Sequence, residues 1–285
     1  MPMQIGRYEV TTFVAGHFRL DGGAMMGSVP KPLWEREQAP DELNRIGLVG
    51  RVLLLRGDGR TIVVDTGCGS KFGPKETEIF AVEDNPSLLD GLAARGVSPD
   101  DVTDVVYTHL HFDHAGGGTR HNDAGDVVLT FPNARYHVQR ANLDTATNPG
   151  PRERGSYLAE NIEPIGNADR WVLIDGPGEI LPGLRATISN GHTAGLQVVE
   201  VLAEDGVGSP LVFPADLMPT ASHLRVPWTM GYDLHAQWIM DEKEPVLDRC
   251  LAEGGIIVFE HDPAVSAVRL KKGKRYHEIA EQVEL

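Results

Sequence analysis

The chemistry of this chain centres on one turn, Thr108-His-Leu-His-Phe-Asp-His-Ala-Gly-Gly117. The turn follows an apolar run, residues 102–107, which we interpret as a buried strand. Divalent metals bind imidazole and carboxylate groups, and a short turn after a strand can hold several of them rigidly. The turn offers four such ligands: His109, His111, Asp113 and His114. It therefore predicts a metal site where the strand ends.

Patterns on both sides of the turn predict an α/β fold. β-rich runs predict strands at residues 8–14, 48–55, 61–64, 134–138, 171–174, 184–188, 198–202, 211–213 and 255–259. Helices are predicted at residues 87–95 and 234–252, and a long surface loop rich in Gly and Pro at residues 20–45. Two rounds of strands with helices between them favour a four-layer αββα sandwich. We expect a single domain spanning residues 1–285.

Three further ligand candidates follow predicted strands, and two metal ions need them because four ligands cannot complete two coordination shells. They are His192, Asp216 and His261. Each lies where a strand leaves the predicted sheet, although each is unremarkable when taken alone. Together with the turn they predict a site for two cations.

In their order along the chain, these seven residues resemble the H-x-H-x-D-H motif, later His, bridging Asp and final His of the metallo-β-lactamase superfamily. The Asp65-Thr-Gly67 segment after an apolar strand is a further family feature, and the resemblance covers nearly the whole chain. It implies an αββα sandwich with the metals at one edge of the sheets. One metal would be held by His109, His111 and His192, the other by Asp113, His114 and His261, and both by Asp216.

Two such cations would supply the nucleophile of a hydrolase. Cations about 3.5–4 Å apart share a hydroxide whose pKa is lowered toward 7, and one of them polarises the substrate carbonyl. Asp216 would act as the bridging catalytic ligand, and Asp113 could donate a proton to the leaving alkoxide. Asp65 is expected to orient a ligand histidine. Zinc suits this ligand set best, with iron, manganese and cobalt as alternatives.

Within the superfamily, the chain resembles the lactonase-like and esterase-like branch, including quorum-quenching lactonases. The resemblance rests on Phe213-Pro-Ala-Asp-Leu-Met-Pro-Thr220, Ser222-His-Leu224 and the stretch from Asp21 to Trp34. A lactone or another carboxylic ester is therefore the expected small-molecule substrate. The chain departs from many acyl-homoserine lactonases at Pro219, where those proteins have Tyr.

Other activities of the same fold stay open. They are a persulfide dioxygenase with a single iron, a thioester hydrolase, a phosphotriesterase and a metal-dependent sensor without turnover. Common β-lactamases lack a counterpart of His114 and often use a Cys ligand, whereas flavodiiron proteins have Glu in place of His111. We therefore expect neither of those two classes.

An apolar substrate pocket is predicted from flexible thioethers and flat rings, with one histidine beside them. Its candidate residues are Met25, Met26, Trp34, Phe72, His223 and Trp228. Packing beneath a loop is an equally good interpretation of the apolar members. Cys68 is expected to fill space in the core, because the ligand set is complete without it.

The charge balance bears on partners and location. With a formal net charge of -15, the chain opposes nucleic-acid binding, which depends on Lys and Arg. The sequence shows neither a signal-peptide pattern nor an apolar run long enough to span a membrane. We therefore expect a cytoplasmic protein, with homodimerisation left open.

Overall fold

The computed structural model describes residues 2–285, apart from the side chain of residue 205. Its strands are β1 (Met3–Ile5), β2 (Tyr8–Asp21), β3 (Arg45–Gly57), β4 (Arg60–Val64), β5 (Asp104–Val106), β6 (Thr119–His121), β7 (Val127–Leu129), β8 (Arg135–Gln139), β9 (Trp171–Ile174), β10 (Gly178–Leu181), β11 (Leu184–Ser189), β12 (Leu196–Val201), β13 (Leu211–Phe213), β14 (Ile256–Val258), β15 (Ala267–Lys272) and β16 (His277–Gln282). Its α-helices are α1 (Gly22–Met26), α2 (Lys31–Trp34), α3 (Pro74–Phe80), α4 (Leu88–Ala93), α5 (Phe112–Ala115), α6 (Arg140–Thr147), α7 (Ala159–Asn167) and α8 (Ala236–Ala252).

Two seven-stranded sheets form the centre of the molecule. The first has the order β1-β2-β3-β4-β5-β8-β9, the second runs from β10 to β16 in sequence order, and β6 and β7 form a small separate sheet. β4 and β5 are parallel neighbours in the first sheet, as β13 and β14 are in the second. Parallel strands end at the same edge of a sheet, so the residues that follow each pair come close together.

Three apolar clusters separate the layers. One lies between the sheets and packs Leu53 and Val64 of the first sheet with Val199 and Phe213 of the second. Another packs the first sheet against α4, α6 and α7, and the third packs the second sheet against α8. Burial of each Leu or Val side chain stabilises the folded state by roughly 1.5–3 kcal/mol, so these three clusters hold the layers together. The predicted four-layer α/β sandwich is confirmed, whereas the single-domain assignment of residues 1–285 stays a prediction.

The prediction of a long surface loop at residues 20–45 is wrong. β2 continues to Asp21, two short helices follow, and β3 begins at Arg45. The Asp21 carboxylate caps α1 by accepting a hydrogen bond of 2.8 Å from the backbone N–H of Ala24. Met26 and Trp34 are buried in an apolar cluster with residues of β2 and β3, so the segment folds as part of the core.

Within residues 2–285, none of the helices combines the length and the hydropathy that a membrane-spanning helix requires.

Candidate metal centre

Side chains from four chain segments converge on one buried point at the edge of the two sheets. One group contains His109, His111, His192 and Asp216, and the other contains Asp113, His114 and His261. Within each group the candidate ligand atoms all lie within 4.8 Å of one another. None of these seven residues is more than 8% exposed. The structure thus brings together every residue that the sequence pattern singled out for metal binding.

In the first group, three imidazole nitrogens surround a common point. His111 Nδ1 lies 3.0 Å from His109 Nε2 and 3.1 Å from His192 Nε2. The Asp216 Oδ2 atom is 3.2 Å from His192 Nε2 and 3.9 Å from His109 Nε2. Tetrahedral zinc with Zn–N bonds of about 2.0–2.1 Å sets neighbouring nitrogens roughly 3.3 Å apart. The spacing therefore suits one ion of this size.

In the second group, Asp216 presents its other oxygen. Asp216 Oδ1 lies 3.2 Å from His261 Nε2, which is itself 3.2 Å from His114 Nε2. The two oxygens of Asp113 lie 3.8 Å from His114 Nε2 and 3.7 Å from His261 Nε2. One carboxylate thus faces both groups, which is the geometry of a bridging ligand.

Hydrogen bonds on the outer side of the rings set the tautomers of three histidines. His261 Nδ1 lies 2.9 Å from the carbonyl oxygen of Val49, which can only accept, so Nδ1 carries the proton. His192 Nδ1 donates in the same way to Asp233 Oδ1 at 2.9 Å, and His114 Nδ1 lies 3.1 Å from Asp65 Oδ2. When these rings are neutral, their Nε2 atoms carry lone pairs that point inward. The Nε2 atoms of His114 and His261 lie 3.2 Å apart, so their lone pairs repel each other unless a proton or a metal ion lies between them.

The electrostatics of the centre favour positive charge at this point. Burial lowers the pKa of His261, but the neighbouring Asp216 and Glu260 outweigh it and raise that pKa to about 9. Burial lowers the pKa of His109 and His111 well below the usual value, with neighbouring imidazoles adding to the effect. These two rings are therefore neutral at pH 7, the form that binds metal.

Asp65 lies where an orienting residue should. Its carboxylate accepts hydrogen bonds from the backbone N–H of Thr108 at 2.8 Å and from the Thr108 hydroxyl at 2.6 Å. The Asp65 Oδ2 atom also contacts His114 Nδ1. Asp65 follows β4 and the histidine turn follows β5, so the parallel pairing of these strands explains the contact.

Two acidic residues of the centre, Asp233 and Glu260, are not predicted from the sequence. Asp233 bonds to His192, and Glu260 Oε1 lies 3.1 Å from His114 Nδ1. Burial raises the pKa of Glu260 to about 8. Asp233 lies in an irregular segment with no motif around it. Glu260 immediately precedes His261, and that adjacency is the only local signal that could have identified it.

Small residues let the histidine turn lie directly on the segment after β4. A Cβ atom at Gly116 would collide with the carbonyl oxygen of Cys68, and one at Gly117 with that of Thr66. Cys68 itself is buried in an apolar cluster, and burial raises its thiol pKa well above the usual value. A neutral buried thiol is a packing residue, as the sequence analysis expected.

A cavity of about 420 Å³ opens onto the centre. Its polar end is formed by five of the candidate metal ligands, and its other walls are mostly apolar: Leu20, Met25, Phe80, Phe112, Met230 and Tyr232. Arg152 ties two of the walls together, because its guanidinium donates hydrogen bonds to the carbonyl oxygens of Gly231 and Asp233. The cavity can hold a small substrate with its polar group at the ligand cluster.

The six predicted pocket residues divide into three groups. Met25 lines this cavity, and Phe72 lines a neighbouring one that shares Phe80 and Phe112 with it. Met26 and Trp34 are buried in the core cluster beneath the cavity wall.

His223 and Trp228 are also absent from the lining of the metal-centre cavity. Trp228 packs under the Arg225 guanidinium at 4.5 Å from the ring centroid. His223 Nε2 donates to the Met25 carbonyl oxygen at 3.0 Å, and its Nδ1 lies 2.8 Å from the Thr220 hydroxyl. Met26, Trp34, His223 and Trp228 thus lie outside the lining of the metal-centre cavity and already contact other parts of the protein, and substrate contact by these four residues stays a prediction.

The buried His223 predicts a loss of stability in acid. Burial lowers its pKa to about 3, whereas an unfolded histidine titrates near 6.5. The unfolded chain therefore binds the extra proton first, so stability is lost as the pH falls below 6.5 toward 3. By pH 4 the loss should be roughly 3 kcal/mol. Urea unfolding from pH 7 to pH 4 should show a shallower acid dependence for His223→Gln than for the wild type.

A control variant, His121→Gln, removes an exposed histidine. Its acid dependence should match that of the wild type. Equal slopes for His223→Gln and the wild type would contradict the role of His223.

Comparisons with known proteins agree with this geometry. A family model of the metallo-beta-lactamase superfamily matches residues 45–261. An N-acyl homoserine lactonase from a Bacillus species is 30% identical over 191 residues, which are 66% of this chain and 65% of the relative. The lactonase AiiA from Bacillus thuringiensis subsp. kurstaki is 32% identical over 191 residues, with the same coverage. The match thus spans slightly less than two thirds of these relatives.

Two solved structures extend the likeness over nearly the whole chain. A probable metal-dependent hydrolase from Staphylococcus aureus is 28% identical, with a TM-score of 0.88 over 99% of this chain and 100% of the other. AidC, a dizinc quorum-quenching lactonase in complex with a product, is 17% identical, with a TM-score of 0.80 over 100% of this chain and 98% of the other. At that identity the second likeness concerns the fold alone.

Proposed function

The chain belongs to the metallo-beta-lactamase superfamily, and we propose that it is a dinuclear metal-dependent hydrolase of lactones or other carboxylic esters. The observation that carries this proposal is the inward pair of Nε2 atoms on His114 and His261, with Asp216 between the two ligand groups. Zinc is the proposed metal because imidazole nitrogens dominate the donor set. The curated relatives, which are N-acyl homoserine lactonases, support the choice of an ester bond.

The chain's own residues would prepare the centre for this reaction. When bound, the two cations would supply an activated water and an electrophile for the substrate carbonyl. Asp233, Asp65 and the Val49 carbonyl oxygen would hold the ligand imidazoles in the tautomer that binds metal. Asp113 lines the cavity beside the ligand cluster, where its carboxyl group would pass a proton to the leaving alkoxide.

The cavity supports a small substrate with one apolar arm. A volume of about 420 Å³ suits a small ring with a short or medium acyl chain. Met25, Met230 and Phe112 would contact the acyl chain of the substrate, while its scissile carbonyl would face the end of the cavity that Asp113 and Asp216 line. Because Pro219 cannot donate a hydrogen bond to substrate, acyl-homoserine lactones are one member of the proposed class rather than its defining substrate. Cytoplasmic location and homodimerisation stay predictions.

Metal analysis combined with a substrate panel tests the proposal. The purified protein should contain two equivalents of metal per chain and release acid from lactones or aryl esters. A chelator should abolish turnover, and added zinc should restore it. The panel should include thioesters and phosphotriesters. One equivalent of iron with oxygen consumption, or activity on phosphotriesters alone, would overturn the proposal.

A further inference from the structure

A second cavity lies away from the metal centre. Its volume is about 930 Å³, and it is formed where the turn between β15 and β16 faces the segments that follow α2, Asp216 and His261. It shares no lining residue with the metal-centre cavity. The hydrolase proposal leaves this cavity without a role.

The lining of this second cavity is rich in cationic side chains, although the chain as a whole carries a net charge of -15. The basic members of the lining are Arg19, Arg225, Lys274, Arg275 and His277. A concentration of positive charge within an acidic protein attracts anions to that place.

Three acidic residues line the cavity, and each already has a partner. Glu278 lies 3.9 Å from Lys271. Glu37 binds Arg225 through both carboxylate oxygens, at 2.9 and 2.7 Å. Asp262 accepts hydrogen bonds from the backbone N–H groups of Ala221, Ala264 and Val265. These carboxylates therefore have little capacity left to neutralise the other cations of the lining.

Several cations of the lining lack a close carboxylate. Within the described part of the C-terminal hairpin, the ion pairs join Arg269 to Glu281, Lys271 to Glu278 and His277 to Asp248, and Lys274 and Arg275 take part in none of them. Arg19 reaches Asp41 only at 4.0 Å, and Asp41 is bound more closely by Arg45, at 2.9 Å. Lys274 and Arg275, together with the weakly paired Arg19, are thus available to a ligand from outside the protein.

Polar and apolar groups complete the lining. The Gln38 side-chain oxygen is buried and lacks a hydrogen-bond partner among residues 2–285. This oxygen can only accept a hydrogen bond, so it does not contribute to binding an anionic head group. The apolar side chains Leu224, Val265, Tyr276 and Ile279 line the same space. The cavity therefore matches a ligand with an anionic head and an apolar body.

We propose that this cavity binds a small amphipathic anion, a carboxylate or a phosphate monoester on an alkyl chain. The head group would contact Lys274, Arg275 and Arg19, and the alkyl chain would lie against Tyr276 and Ile279. Such binding is independent of the hydrolase proposal, since none of these residues touches the metal centre.

Isothermal titration of the full chain with its metals bound tests the site, with octanoate, octyl phosphate and octan-1-ol as probes. One of the two anions should bind with 1:1 stoichiometry, roughly tenfold or more tightly than the alcohol. The comparison of octanoate with octyl phosphate distinguishes a carboxylate site from a phosphate site. The double variant Lys274→Ala/Arg275→Ala should weaken the anion roughly tenfold.

Lys272→Ala is the matched control, because Lys272 is exposed on β15 and does not line the cavity. Its affinity should equal that of the wild type. Circular dichroism should confirm that all variants are folded. The proposal is overturned if neither anion binds saturably, or if Lys272→Ala weakens binding as much as the double variant. Binding that the double variant leaves unchanged would also overturn the proposal, because the anion would then bind elsewhere on the protein.

Discussion

Replacing Asp216 with asparagine should lower ester hydrolysis more than 100-fold and reduce bound metal from two equivalents to one or fewer. The two oxygens of Asp216 lie 3.2 Å from His192 Nε2 and 3.2 Å from His261 Nε2, one facing each ligand group. Asparagine keeps the shape but loses the charge and one of the two oxygens. Residues that only orient metal ligands typically cost about 10–100-fold when mutated, and a bridging ligand should cost more. Metal content and kcat/KM on the best ester check the prediction.

Asp104→Asn is a suitable control for this experiment. Asp104 is also a buried carboxylate, but it pairs with His137 and Arg60 in the first sheet, away from the metal centre. Its loss should lower stability and leave two equivalents of metal. An Asp216→Asn protein with two metals and unchanged turnover would exclude the bridging role.

The candidate ligands could be predicted because their positions follow from local rules. Those of the histidine turn share one short segment, while Asp216 and His261 follow parallel neighbours, β13 and β14. The strand ends that the sequence predicts therefore already place these side chains at a common edge. The family resemblance then assigned each residue to one of the two groups.

The partners behind the ligands could not be predicted in the same way. Asp233 reaches His192 from a segment that contains no strand or α-helix, and Val49 contributes only its backbone carbonyl oxygen. Every residue type has a backbone carbonyl oxygen, so the identity of residue 49 does not indicate this hydrogen bond. Glu260 looks from sequence like any acidic residue after a strand, and only its complete burial beside His114 distinguishes it.

The fold predictions failed where polarity or short length hid the pattern. β16 is mostly exposed and contains two acidic side chains, so it lacks the apolar run of a typical buried strand. α7 carries Pro164 in its interior, which argues against a helix in sequence-based reasoning. Apolar character also could not separate Met25, on the cavity wall, from Met26, in the core, because the two are adjacent and chemically identical.

The Asp113→Asn variant should distinguish proton donation from metal binding. Asparagine can still offer an oxygen to a cation, but it cannot supply a proton to the leaving group. Turnover of lactones and alkyl esters should therefore fall about 10²–10⁴-fold, the usual contribution of a general acid. Esters of 4-nitrophenol should lose far less, because nitrophenolate leaves without being protonated. Both rates should be measured on protein of known metal content.

The dependence on the leaving group is the decisive readout, because a ligand role alone would not produce it. The Asp113 oxygens lie 3.8 Å from His114 Nε2 and 3.7 Å from His261 Nε2, so loss of the second metal would slow every substrate by the same factor. Asp113→Glu, which keeps a carboxyl group, should restore part of the activity on alkyl esters if proton donation matters. Equal losses on alkyl and nitrophenyl esters with both metals retained would contradict the proton-donor role and leave Asp113 as a ligand only.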